Sequence, residues 1–135
     1  MANRNWSNGG KVYMMHVSPT VVNTNITIGS TGAVVSNTNT TVIPSVTRVS
    51  TGIYTLNLSA AYNALIFASG SAQSPVSGLS GVATIEIQNA PTASVAASPA
   101  SLTIKCLDAA GAVVDPASGS VISIMALMNN SSVKS

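Results

Sequence analysis

Short runs of β-forming residues, punctuated by Gly, Pro, Asn and Ser, fill this chain, and nowhere do apolar residues recur at helical spacing over three turns. That pattern leaves no material for a helical bundle or an α/β layer, and it predicts an all-β fold. The expected strands are Lys11–Ser18, Val21–Ile28, Ala33–Ser36, Thr41–Val49, Gly52–Leu58, Ala64–Ala68, Val82–Gln88, Leu102–Leu107 and Val121–Met128. Turn signals separate them at Ser18-Pro19, Gly29–Gly32, Ser50–Gly52, Ser77-Gly78, Ser80-Gly81 and Ala110-Gly111. One short helical turn is expected where Ser59 can cap Ala60–Asn63.

Alternation with a period of two is cleanest from Gly52 to Leu58. There Tyr54, Leu56 and Leu58 point one way and Thr55 and Asn57 the other. Ile85 and Ile87 flank Glu86 in the same manner, and Leu102, Ile104 and Cys106 alternate with Thr103 and Lys105. Strands of this type have one buried and one wet face, as in antiparallel sheets. Val121–Met128 is apolar on both faces, so it is either a central strand or one that meets another subunit. The stretches Gly70–Gly81 and Asn89–Ser101, rich in Ser, Ala and Pro, read as long surface loops. The chain of 135 residues is expected to form a single antiparallel β-sandwich or jelly-roll-like domain over residues 11–135, with eight or nine strands. Residues 1–10, polar and ending in Gly9-Gly10, form an arm before it.

Only 6% of the residues are charged, against about 25% in a typical soluble protein. Solvation falls instead to 21 Ser, 13 Thr and 12 Asn. Arg4, Lys11, Arg48, Lys105 and Lys134 are scattered singly, which gives no basic groove to track phosphates and argues against a nucleic-acid partner. No apolar run nears the roughly 18 residues that span a bilayer. The opening residues lack the apolar segment of a secretory signal. Cys106 has no partner for an internal disulfide and suits a reducing cytoplasm.

Catalysis needs groups this chain scarcely has. Glu86, Asp108, Asp115 and His16 are its only carboxylates and imidazole, and no nucleophile elbow, phosphate-binding loop, paired-cysteine motif or zinc-binding helix is present. Asp108 and Asp115, seven residues apart without a third ligand, make a poor cation cage. Asp108 and Gly111 fit a turn instead, the first bonding backbone two residues on and the second taking positive φ. Cys106, on an apolar strand face, reads as a small buried hydrophobe. No catalytic residue, cofactor or metal is expected, and the chain reads as a non-enzyme. A hydrolase would require Asp108, Asp115 and His16 to converge.

Binding through shape remains. A domain with few charges and more apolar strand surface than a small sandwich covers is expected to bury part of it in a homo-oligomer, as small β subunits do in rings or trimers. The expected interface residues are Arg4, Asn5, Trp6, Lys11 and Tyr13 toward the N-terminus, with Met125 and Leu127 on the doubly apolar strand.

The opening Met1-Ala-Asn-Arg-Asn-Trp-Ser-Asn-Gly-Gly-Lys-Val-Tyr-Met-Met-His-Val17 resembles the start of small virion proteins of tailed bacteriophages. The runs Thr51–Leu58, Leu102–Gly111 and Val121–Ile124 are similar to β modules of phage virion proteins. This resemblance implies a virion structural protein made in the host cytoplasm. It would decorate or cement the head surface, with the major capsid protein and further copies of itself as partners. Tail and fibre parts are near relatives, so the alternative is a tail or head-fibre module that binds a receptor or glycan.

Overall fold

The computed structural model describes residues 19–60, 62–89 and 100–130. The expected strand Lys11–Ser18 and the arm at residues 1–10 lie outside them. Eight strands run through the described residues: β1 (Pro19–Ile28), β2 (Val34–Asn37), β3 (Ser45–Ser50), β4 (Ile53–Asn57), β5 (Tyr62–Gln73), β6 (Thr84–Asn89), β7 (Ser101–Leu107) and β8 (Val121–Asn130). They form two four-stranded sheets. Sheet A has the order β2-β1-β8-β5 and sheet B the order β3-β4-β7-β6, and every pairing is antiparallel. The fold is the expected all-β sandwich.

The core lies between the sheets and comes from the alternation read in the sequence. Sheet A contributes Val22, Ile26, Ile122, Ile124 and Met128; sheet B contributes Tyr54, Leu56, Leu102, Ile104 and Cys106, all buried. Each large aliphatic side chain removed from water here stabilises the fold by about 1.5–3 kcal/mol before entropy is counted. Val121–Met128 takes the central option foreseen for it, since β8 is hydrogen-bonded on both sides, to β1 and β5. The side chains of Ile122, Ile124, Ala126 and Met128 enter the core while Met125 points out.

Asn and Thr side chains do backbone work at one edge. β2 pairs with β1 only from Ile26 to Ile28, and the loop after β2 serves the next stretch of β1. The Thr38 amide donates to the Asn25 carbonyl at 3.1 Å and the Asn25 amide donates to the Thr38 hydroxyl at 3.0 Å. The Asn39 side-chain amide donates to the Asn23 carbonyl at 2.8 Å. Side chains thus stand in for a missing strand and occupy groups that would otherwise invite edge pairing.

Two expectations are corrected. The Ser59–Asn63 turn of helix does not form: Tyr62 and Asn63 already belong to β5, because a single turn holds too few hydrogen bonds to compete with strand pairing. The loop assigned from Gly70 begins only after Gln73, since β5 continues straight through Gly70. Gly70 is a packing residue there. A Cβ on it would come within 2.8 Å of Ile124 Cδ1 and 2.9 Å of Ile85 Cγ2, so its lack of a side chain lets the edge of sheet A close onto β6.

Candidate interaction surface

The register of sheet A sets its outward side chains in rows. Val21 and Phe67 flank Leu127, Asn23 and Ser69 flank Met125, and Asn25 and Ser71 flank Ser123. The first row is apolar throughout, and Met125 extends it into the second. Val21 is 55% exposed, Phe67 57% and Met125 53%. A shift in register between Leu65 and Phe67 makes Ile66 a bulge residue, so Ile66 and Phe67 are both exposed in succession. A bulge of this kind is not written in the alternation, and it is why Phe67, unlike Met125 and Leu127, was not anticipated. Next to the apolar row lies a shallow groove of about 320 Å³, lined by Asn23, Asn25, Ser69, Ser71, Ser123 and Met125 among others. Small residues, Ser69, Gly70, Ser71 and Ser123, leave the space at its centre.

Charge is divided unequally between the sheets. None of β1, β2, β5 and β8 contains an Asp, Glu, Lys or Arg. Arg48, Glu86 and Lys105 stand on sheet B, and Asp108 and Asp115 lie in the stretch after β7. Glu86 and Lys105 are cross-strand neighbours. On the outer face of sheet B the Thr55 and Thr103 hydroxyls share a hydrogen bond at 2.9 Å and the Asn57 amide donates to Ser45 and Thr47, beside the partly exposed Ile53 and the exposed Val49.

The two aspartates are engaged in structure. Asp108 accepts the amides of Ala110 and Ala112, both at 2.9 Å, and Gly111 has φ +86°, the turn foreseen for them. Asp115 is held by Arg48, whose Nε donates to Oδ1 at 3.0 Å and Nη2 to Oδ2 at 2.6 Å. Asp115 Oδ1 also accepts the Gly52 amide at 2.8 Å. The guanidinium and these hydrogen bonds hold the Asp115 carboxyl below its ordinary pKa. Tyr54 donates its hydroxyl to the Gly32 carbonyl at 2.8 Å. Burial, with the Asp115 charge second, pushes that hydroxyl's pKa well above the usual tyrosine value. Burial likewise pushes the Cys106 thiol up to about 12, as suits an unreactive core residue.

Among the described residues no three His, Cys, Asp or Glu side chains gather where a metal ion could be held. Met125 and Leu127 fall on the outer face of sheet A; Arg4, Asn5, Trp6, Lys11, Tyr13 and His16 lie outside the described residues. No protein-family model, curated protein or solved structure matches the chain.

Proposed function

We propose that this protein is a non-enzymatic structural subunit of a bacteriophage virion, a decoration protein that binds the outside of the icosahedral head and stabilises it. The observation that carries this reading is the charge-free sheet A with its exposed apolar row. An exposed apolar patch on a small domain marks a surface that meets another molecule. A face without ionisable groups can be buried against a large neighbour without stranding an unpaired charge, the costliest error an interface can make. The partners are the major capsid protein and further copies of the same chain, as a homo-oligomer. Stabilisation follows from mass action. Contacts made only in the assembled shell favour it by RT ln(1 + [L]/Kd), and repeated placement over the lattice multiplies the effect.

The test is binding of the purified protein to heads that lack it, followed by a wash. Binding to heads that survives about 0.5 M salt supports the reading, because neutral contacts are little screened. Absence from purified virions, or release in mild salt, overturns it. Binding to host cell surfaces rather than to heads favours a receptor-binding or glycan-binding fibre module instead.

A further inference from the structure

We infer that the outer face of sheet A stacks on the same face of a second copy of this chain, about a two-fold axis that runs along β8. The inference rests on the reading of the chain as an assembly subunit and names the partner of that face. β8 lies between β1 and β5, so rotation about it leaves Leu127, Met125 and Ser123 facing their own counterparts and lays β1 of each copy over β5 of the other. The register then fixes the pairs. Val21 meets Phe67, Asn23 meets Ser69 and Asn25 meets Ser71.

These pairs match in kind and in size. The apolar row lies on the apolar row, and each Asn amide lies over a serine hydroxyl, two groups that both donate and accept. In the apolar row β5 carries the larger side chain, Phe67 against Val21, whereas in the two polar rows β1 carries it, Asn against Ser. Each bulky residue therefore faces a smaller one. The space left by Ser69, Gly70, Ser71 and Ser123 receives the Asn side chains of the other copy.

Sheets that pack in alignment keep their strands within about 30° of one another, which leaves one other two-fold axis, across the strands through Met125. That axis would put Leu127 over Ser123 and Phe67 over Ser71, and would set Asn23 against Asn23. A hydroxyl beneath an apolar side chain loses its water and gains no partner, so the side chains select the axis along β8. Charge points to the same occupant. Whatever covers a face without Asp, Glu, Lys or Arg must bring no ion of its own or leave it unpaired. The same face of another copy meets that condition, and sheet B, with Arg48, Glu86 and Lys105, does not. Three strands make the face about 14 Å wide and the run from Val121 to Asn129 makes it about 27 Å long, so two copies cover roughly 800 Å² of flat area. Interfaces below about 1,200 Å² belong to weak, reversible pairs, and the dimer is expected to dissociate on dilution.

Chains carrying Leu127→Cys are treated with a short bis-maleimide at a concentration where sedimentation shows association. Native Cys106 is fully buried and stays silent. A covalent dimer is expected, because position 127 lies on the axis and faces its own copy. Ser123→Cys, an exchange of oxygen for sulfur further along the axis, is expected to do the same and carries the test should Leu127→Cys fail to fold. Asn23→Cys mixed with Ser69→Cys is expected to join one chain of each kind. Thr47→Cys, exposed on sheet B, measures chance encounters and is expected to stay unlinked. Absence of a link from both positions on the axis overturns the inference, as does an equal yield from Thr47→Cys. Linkage of Leu127→Cys only to Ser123→Cys overturns it too, since an axis across the strands sets Leu127 about 14 Å along the strand from its own copy. An unsubstituted protein that sediments as a trimer, or as a monomer at every concentration, is equally fatal. Head binding is read on the same samples. Stacked dimers that ignore heads defeat only the proposed function, and head binding by chains that give no link on the axis defeats only the stack.

Discussion

Arg48 and Asp115, 67 residues apart in the chain, meet in a two-point clasp that ties β3 to the segment leading into β8. The same carboxylate receives the Gly52 amide, so the clasp also fixes the β3–β4 turn, where Gly52 has φ +66°. A Cβ at Gly52 would sit 2.5 Å from the Val114 carbonyl oxygen, so the turn excludes any other residue on both counts. Asp115→Ala strands the buried Gly52 amide and is expected to cost about 1–3 kcal/mol. Asp115→Asn keeps an acceptor for that amide and loses less. Urea unfolding midpoints of the two variants, compared with the parent, check the order.

The clasp also sets the acid limit of stability. Asp115 titrates below its ordinary 3.8 in the folded protein, so the unfolded chain binds the proton more readily. Its contribution is complete above about pH 5 and is lost as the pH falls through the ordinary and then the depressed folded value. Thermal unfolding between pH 6 and pH 2 is therefore expected to show a falling Tm at the acid end. Asp115→Asn should have a lower Tm than the parent near neutrality and a flatter acid slope; an unchanged slope contradicts the assignment.

Strand alternation made β4, β7 and the buried place of Cys106 legible, because period two is written residue by residue. β5 was half legible. Its Gly70-Ser71 step looks like a loop opening, and only the closeness of Ile85 and Ile124 across the sandwich explains a glycine there. The Arg48–Asp115 clasp was not legible, since a pairing over such a separation is settled by topology. Met125 and Leu127 were legible as interface candidates because their strand is apolar on both faces, although which phase points outward was not, whereas Phe67 depended on a bulge that no period reveals.

Ser120 carries a hydroxyl that is buried without a hydrogen-bond partner. An unpaired buried hydroxyl carries its desolvation cost without return, and removing it leaves nothing else unsatisfied. Ser120→Ala is expected to be neutral or to stabilise by up to about 1 kcal/mol. A loss of more than about 1 kcal/mol in urea unfolding would show that the hydroxyl has a partner in solution.

Met125 and Phe67 point outward from sheet A, so replacing them leaves the core untouched. Met125→Lys is expected to change folding stability by no more than about 0.5 kcal/mol. Any association through this face, however, would then bury an ammonium in a sheet that offers no carboxylate. Desolvating that charge without a partner is expected to weaken self-association at least tenfold, about 1.4 kcal/mol or more. Sedimentation of parent and variant at low and at roughly 0.5 M salt separates the causes. The parent's association should hardly respond to salt, because the face has no charge to screen. Counterions cannot restore the variant, because its penalty is dehydration of the lysine and not repulsion from a distance. Equal association of the two chains would place the contact surface elsewhere on the sandwich.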